Sequence, residues 1–88
     1  MEKVVAAAIM VWIKDNDFPQ IITAKRHADA FELVHKSNVL ITKAIHGFLT
    51  DQNRFVDRYE AKDIAVAANQ LIVPIEETYN ELYSEDVW

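Results

Sequence analysis

A continuous apolar run, Val4–Ile13, constrains the fold of this chain more than any other feature of its sequence. Its apolar residues occupy odd and even positions alike, which is typical of a strand covered on both faces. A turn-forming cluster over 15–19 and the short β-branched segment Gln20–Ala24 follow it. The order of these segments predicts two strands joined by a turn. A buried helix is the alternative for Val4–Ile13, because such a helix is also rich in apolar residues. The run is about half as long as a membrane-spanning helix, so we expect a core element and no membrane contact.

A first helix and a second pair of strands are predicted in the middle of the chain. Helix-forming residues return over 28–36, where Phe31 and Val34 lie one turn apart on the same side. Ser37 and Asn38 are expected to end this helix. The stretch 39–45 favours no single structure, and residues 47–50, 51–54 and 55–56 then indicate a strand, a turn and a strand.

The clearest helix signal begins at Asp57. This residue is a good helix N-cap, and Glu60 follows three residues later, as in a capping box. Residues at helical spacing then provide a narrow face that lets the helix lie close to a sheet, and they are Ala61, Ile64, Ala65 and Ala68. Asn69 suits a left-handed position at the helix end. The predicted fold class is therefore α+β, a small antiparallel sheet with two main helices, on which the aromatic residues of the acidic tail 76–88 should pack.

Size and composition limit how such a chain is stabilised and what it binds. Its 88 residues fit one domain with a marginal core, and without cysteine the remaining way to cover apolar surface is association with other copies. We therefore expect a homo-oligomer. A net charge of −5 argues against a nucleic acid polymer as partner, because a phosphate backbone requires a basic stripe. The lack of cysteine and of a secretory signal over 1–20 predicts a cytoplasmic protein.

The sequence offers no recognisable catalytic or metal-binding motif. His27, His35 and His46 do not have the spacing of a zinc site, and we predict neither a metal nor another cofactor. The acidic residues fall in turns, caps and the tail, where solvation explains them. No nucleophile elbow, P-loop or dinucleotide fingerprint is present, so we predict no catalytic residues and no enzymatic activity.

Several short motifs occur in an order that resembles a known phage family. In chain order they are Arg26-His27, Gly47-Phe48, Phe55, Arg58-x-Glu60-Ala61, Ile64-Ala65, Gln70 and the ending Leu82-Tyr83-Ser84-Glu85-Asp86-Val87-Trp88. Together they resemble the first family of Thoeris anti-defence proteins over nearly the whole chain. The resemblance implies a phage protein in the host bacterial cytoplasm that binds a cyclic nucleotide or a cyclic ADP-ribose isomer, both immune signals, and sequesters it without cleaving it.

The same resemblance implies a set of ligand-binding residues, namely Arg26, His27, Phe48, Asp57, Arg58 and Tyr83. An arginine fork matches two phosphate oxygens, although a surface ion pair is the alternative for Arg26. His27 is expected either to donate to a ribose or phosphate oxygen or to pack at a junction. Phe48 beside Gly47 is a candidate platform on which a base could stack, and core packing is the alternative. Arg58 opposes the helix dipole in the first helical turn, which favours a nearby anion.

Departures from the family pattern carry further expectations. Members commonly have glycine where this chain has Asn53 and Asn69, and asparagine is the non-glycine residue that best tolerates a left-handed backbone. We therefore expect positive φ at both positions. The chain is also shorter than many members, and the loss of part of a pocket wall would change which ligand it binds. Two other functions compete with sequestration: a protein interaction module that docks through the acidic aromatic tail, and a small nucleotide-cleaving enzyme.

Overall fold

The computed structural model describes residues 1–37 and 40–88. It has a four-stranded antiparallel sheet with the strand order β2-β1-β3-β4, and two helices. The elements in chain order are β1 (Val4–Ile13), β2 (Gln20–Ala24), α1 (His27–Lys36), β3 (Ile41–Thr50), β4 (Phe55–Asp57) and α2 (Arg58–Ala67). The α+β class, the antiparallel sheet and the two main helices are as predicted.

Strand β1 is central and explains the stretch that the sequence left undecided. It pairs with β3 from Val4 opposite Thr50 to Ile13 opposite Ile41, so residues 41–45 extend β3 well beyond the predicted strand 47–50. Their conformation is set by hydrogen bonding to β1 and not by local propensity. The predicted helix end at Asn38 and the start of the undecided stretch at Val39 lie outside the described residues.

The hydrophobic core lies on one face of the sheet, beneath both helices. On this face Ala7, Ile9 and Val11 of β1 and Phe48 of β3 are fully buried. The strand register places a second apolar set on the opposite face, which we call the open face: Met10, Trp12, Ile21, Ile45, Leu49 and Phe55. None of these six belongs to the core clusters of the described residues, so within one chain the helices cover one face of β1, whereas on the open face of β1 it is Ala8 that is fully buried.

Helix α1 presents a different line of residues to the core than the sequence suggested. Ala30 and Val34, one turn apart, are its buried apolar residues, with exposed fractions of 0% and 7%. Phe31 was expected to share the face of Val34, but it remains 41% exposed and meets the ring of His46 at 4.8 Å. The short side chain of Ala30 brings the helix close to β1, and Phe31 is left at the flank of the contact.

Helix α2 begins and packs as predicted, with one difference at its start. Asp57 is the N-cap, and its Oδ1 accepts a hydrogen bond of 2.8 Å from the backbone N–H of Glu60. The carboxylate of Glu60 accepts from Arg54 instead of returning to the N-cap, so half of the capping box is present. Ala61 and Ala65 are fully buried, which confirms the small face that allows α2 to approach the sheet.

Both asparagines expected to adopt a left-handed backbone do so, with φ of 61° at Asn53 and 57° at Asn69. Asn69 follows the last turn of α2, where its N–H donates to the carbonyl of Val66 and the N–H of Gln70 donates to the carbonyl of Ala65. These two bonds form a Schellman motif. Gln70 then bonds through its side-chain amide to both the N–H and the carbonyl of Val4, which ties the helix end to the start of β1.

Replacing Asn69 or Asn53 by glycine should leave the free energy of unfolding unchanged or raise it slightly, because glycine adopts positive φ without steric cost. Asn69→Ala is the matched control and should lose about 1 kcal/mol, because a Cβ without a compensating polar group disfavours this conformation. Urea denaturation measures all three variants. A clear loss of stability in Asn69→Gly would contradict the left-handed helix end.

The tail packs on the core as expected, through Leu82, Val87 and Trp88. Leu82 is fully buried and its N–H donates to the carbonyl of Arg58 at 2.9 Å. The indole Nε1–H of Trp88 donates to the carbonyl of Lys25. Tyr79 is the exception, since it is 74% exposed. The tail therefore lies beside the starts of both helices, where it lines the cavity described next.

Candidate functional site

A cavity of about 270 Å³, which we call the arginine cavity, lies where α1 and α2 begin. The tail closes it through a 3₁₀ turn at Ser84–Asp86. Its lining residues are Arg26, His27, Ala28, Arg58, Tyr83, Ser84 and Glu85. Four of the six predicted site residues, Arg26, His27, Arg58 and Tyr83, are therefore neighbours here, although they come from three distant parts of the sequence.

Both arginines of the cavity have a buried nitrogen without a hydrogen-bond partner among residues 1–37 and 40–88. In Arg26 this atom is Nη1, which forms an ion pair with the carboxylate of Glu85 at 4.0 Å, the alternative expected for this residue, at a distance too long for a hydrogen bond. In Arg58 it is Nε, and the guanidinium lies 4.9 Å from the centre of the Tyr83 ring. Buried donors are normally paired, so these two cavity-lining arginines have hydrogen-bonding capacity that the protein does not satisfy.

The charges of the lining residues favour an anion. Glu85 is the one acid in the lining, and its exposed carboxylate is opposed by two guanidinium groups. Hydrogen bonds from its own backbone N–H and from Ser84, together with the charge of Arg26, lower the pKa of Glu85. The group is therefore ionised at neutral pH, and the lining keeps a net positive charge of about one.

His27 is held by the fold in a way that leaves no free donor. Its Nε2 donates to the carbonyl of Gly47 at 2.7 Å, and its ring stacks on His46 and meets the edge of Phe48. Burial lowers the pKa of His27. The hydrogen bond to the Gly47 carbonyl opposes this effect, the charge of Arg58 adds to it, and the net shift is downward. The neutral ring has its proton on Nε2, so Nδ1 can only accept. The expected donation to a phosphate is replaced by a role in fixing the start of α1.

Phe48 does not provide the exposed stacking platform that the sequence suggested. It is fully buried, and its ring packs against those of His27 and Trp88, with centres 5.0 and 6.3 Å away. Gly47 does not open an approach to Phe48 either. A Cβ at this position would meet the backbone carbonyl of Val56 and lie 2.6 Å from Cζ of Phe55. Glycine is needed so that β4 and Phe55 can lie close to β3.

A second cavity of about 270 Å³, which we call the edge cavity, is also lined by Arg58. It opens where β4 stops pairing with β3, because the last pair joins Gly47 to Asp57. The lining residues are Ile45, His46, Asp57, Arg58, Tyr59 and Glu81. Asp57, a predicted site residue, thus caps α2 and lines the edge cavity, whereas it is absent from the arginine cavity lining.

The sequence did not single out His46, Tyr59, Glu81 or Glu85 as site residues. Glu85 belongs to the ending motif, and its position two residues after Tyr83 was a signal that could have identified it. Glu81 has no such signal, but its charge and hydrogen bond raise the pKa of Tyr59. Burial and the charge of Arg58 lower the pKa of His46. The edge cavity therefore contains a neutral histidine, a tyrosine and two carboxylates around one guanidinium.

A larger cavity of about 420 Å³ lies between α2 and residues 75–80, but the cation in its lining, Lys62, is already hydrogen-bonded within the protein. Lys62 donates to the hydroxyl of Thr78 and to the carbonyl of Tyr79, the latter at 2.6 Å. Within the described part of the chain, no group of three His, Asp or Glu side chains is placed to hold a metal ion. No helix there is long and apolar enough to cross a bilayer.

The fold and the arginine cavity define a small α+β protein with a cationic cavity built from its own helix starts and tail. The model of the phage T4 y16D protein family matches residues 3–88, so the chain belongs to this family. No curated protein and no solved structure matches the chain significantly.

Proposed function

We propose that this phage-family protein binds a cyclic nucleotide or a cyclic ADP-ribose isomer and sequesters it without cleaving it, as the resemblance to the first family of Thoeris anti-defence proteins implies. The observation that carries the proposal is that Arg26 and Arg58 line one cavity and that each has a buried nitrogen without a hydrogen-bond partner among the described residues. A phosphate group has the charge, the size and the acceptor oxygens to bind both guanidinium groups at once.

The start of α1 supports an anion at the same place. Arg26 is the N-cap of this helix, and no side chain caps the helix from that position. An arginine has no oxygen with which to accept the first N–H groups, which carry the positive end of the helix dipole. A phosphate in front of Arg26 would accept from such groups as well as from the guanidinium. Arg58, as the first residue of α2, adds a second cation beside a second helix start.

Binding without cleavage fits the lining of the cavity better than catalysis does. Cleavage of a phosphodiester or glycosidic bond by side chains requires a positioned acid and base. The proton of His27 is committed to Gly47, and Glu85 is exposed and ionised by its neighbours. Sequestration requires only equilibrium binding in a preorganised cavity.

Docking through the acidic aromatic tail has less support. Leu82, Val87 and Trp88 pack on the protein's own core, and Tyr83 lies beneath Arg58. Among the tail aromatics Tyr79 alone is largely exposed. A partner that bound the tail would have to compete with these internal contacts.

The ligand should be recoverable unchanged after binding. The experiment mixes the protein with a slight deficit of each member of a panel of cyclic nucleotides and cyclic ADP-ribose isomers, and records the melting temperature and the free ligand. The binder should raise the melting temperature by mass action, disappear from solution and reappear intact after heat denaturation. A new, shorter product, or consumption of ligand in many-fold excess over protein, would establish turnover and contradict sequestration. No melting shift with any member would contradict nucleotide binding itself.

We further propose that the protein assembles as a homo-oligomer through the open face of its sheet. Stable domains are built from packed layers, and an apolar sheet face requires a layer on it. By the strand register, the charged residues on the open face are Lys43 and Asp57, so a second copy meets little repulsion there despite the net charge of −5. Lys43 lies over the ring of Trp12 at 5.0 Å, which partly screens its charge.

Replacing Ile21 on the open face by glutamate should shift the protein to a monomer of about 10.1 kDa. Ile21 is 45% exposed, so the substitution should disturb the assembly more than the fold of one chain. Ile72→Glu is the matched control, because Ile72 is 64% exposed and lies outside the sheet. Light scattering at micromolar concentration measures both variants. A wild-type protein that is already monomeric, or an Ile21→Glu variant that stays oligomeric, would contradict this interface.

A further inference from the structure

Arg58 belongs to both the arginine cavity and the edge cavity. Its guanidinium lies over the ring of Tyr83, and the hydroxyl of Tyr83 donates to Oε2 of Glu81 at 3.4 Å. Tyr83 lines the first cavity and Glu81 lines the second. The two cavities therefore share Arg58, and the hydrogen bond between Tyr83 and Glu81 joins the two linings. A ligand that contacts Arg58 can extend into either cavity.

The acceptor groups of the edge cavity differ in kind from the donors of the arginine cavity. Glu81 and Asp57 provide carboxylate oxygens, and the bond from Glu60 to Asp57 occupies one of several lone-pair positions of that group. A carboxylate repels a phosphate but accepts strongly from a hydroxyl or an amino group. Ile45 and the neutral ring of His46 add apolar and aromatic surface. This lining suits the uncharged, hydroxyl-bearing part of a ligand.

We propose that the two cavities form one site in two parts across Arg58. The phosphate groups of the ligand lie in the arginine cavity, and its ribose hydroxyls or base amino group donate to Glu81 and Asp57 in the edge cavity. This inference rests on the proposed nucleotide binding and specifies which chemistry each half recognises. Each half, at about 270 Å³, is smaller than a usual small-molecule site, whereas the two together reach the usual size of roughly 300–1,000 Å³.

The two-part site makes opposite predictions for two probes. Inorganic pyrophosphate has the anionic part alone, and ADP-ribose has the same pyrophosphate flanked by ribosyl groups. Removing a carboxylate near Arg58 strengthens the attraction of any anion, so Glu81→Ala should leave pyrophosphate affinity unchanged or higher. If Glu81 accepts from the ribosyl part, the same substitution should weaken ADP-ribose binding by about tenfold or more.

Titration calorimetry with both probes on the wild-type protein, Glu81→Ala and Glu32→Ala tests the inference. Glu32→Ala is the charge-matched control, because Glu32 pairs with Lys36 on α1 and lines neither cavity. Retained pyrophosphate binding shows that Glu81→Ala is folded. An ADP-ribose affinity that is unchanged or higher in Glu81→Ala would overturn the two-part site and leave the proposed function standing. If the wild-type protein bound neither probe, the two-part site would be overturned, while the proposed function would still be decided by the panel of cyclic ligands.

Discussion

Replacing Arg58 by alanine should lower the affinity for the bound nucleotide about tenfold to a hundredfold, and Arg26→Ala should do the same. Each substitution removes a charge-assisted contact to phosphate, which contributes about 1.5–3 kcal/mol. Arg58 should show the larger loss, because it lines both cavities whereas Arg26 lines one. Titration calorimetry with the ligand identified by the melting screen measures the change, and pyrophosphate serves as a simpler probe.

The stability of these variants separates a binding role from a structural one. A buried guanidinium nitrogen without a partner in the described parts of the chain lowers stability, so its removal should leave the free energy of unfolding unchanged or higher. Arg54→Ala is the matched control. Arg54 bonds to both Glu2 and Glu60 and lines neither cavity, so this variant should lose stability and keep its affinity. Unchanged affinity in both Arg26→Ala and Arg58→Ala would remove the arginine cavity from consideration as the site.

Replacing Gly47 by alanine should destabilise the protein by about 3 kcal/mol, the upper end of the usual range for added bulk in a packed region. The added Cβ would meet the carbonyl of Val56, and a backbone obstacle cannot rotate away as a side chain can. The pairing of β3 with β4 would have to open, and the carbonyl that accepts from His27 lies at the same residue. Thermal unfolding should show a melting temperature lower by more than about 10 °C.

Ala44→Val is the control for this substitution, since it adds apolar volume to an exposed position of the same strand. A β-branched residue suits a strand, so the control should be neutral or slightly stabilising. If Gly47→Ala melted at the wild-type temperature, β4 would not lie against β3 as described, and the edge cavity, which opens where that pairing ends, would have a different shape.

Local chemistry in the sequence was sufficient for several elements of this fold. The apolar run and the turn after it gave the correct bounds of β1 and β2, because strand periodicity and turn residues act within a few positions. The cap at Asp57 was predicted for the same reason, since its side chain reaches an N–H three residues away. Asn69 was predicted because only a few residue types tolerate its backbone conformation.

Contacts between distant parts of the chain decided the rest. Residues 41–45 became strand because β1 offers hydrogen bonds along its whole length, and Phe48 was buried because the C-terminal Trp88 packs beside it. The motifs identify Arg26 and Arg58 as two separate candidates. Whether the two arginines line the same cavity depends on how α1 and α2 pack on the sheet and on where Leu82 holds the tail. The sequence by itself determined where β1, β2 and α2 begin. The tertiary structure alone determined which charges share a cavity, because burial and proximity arise only from packing across the whole fold.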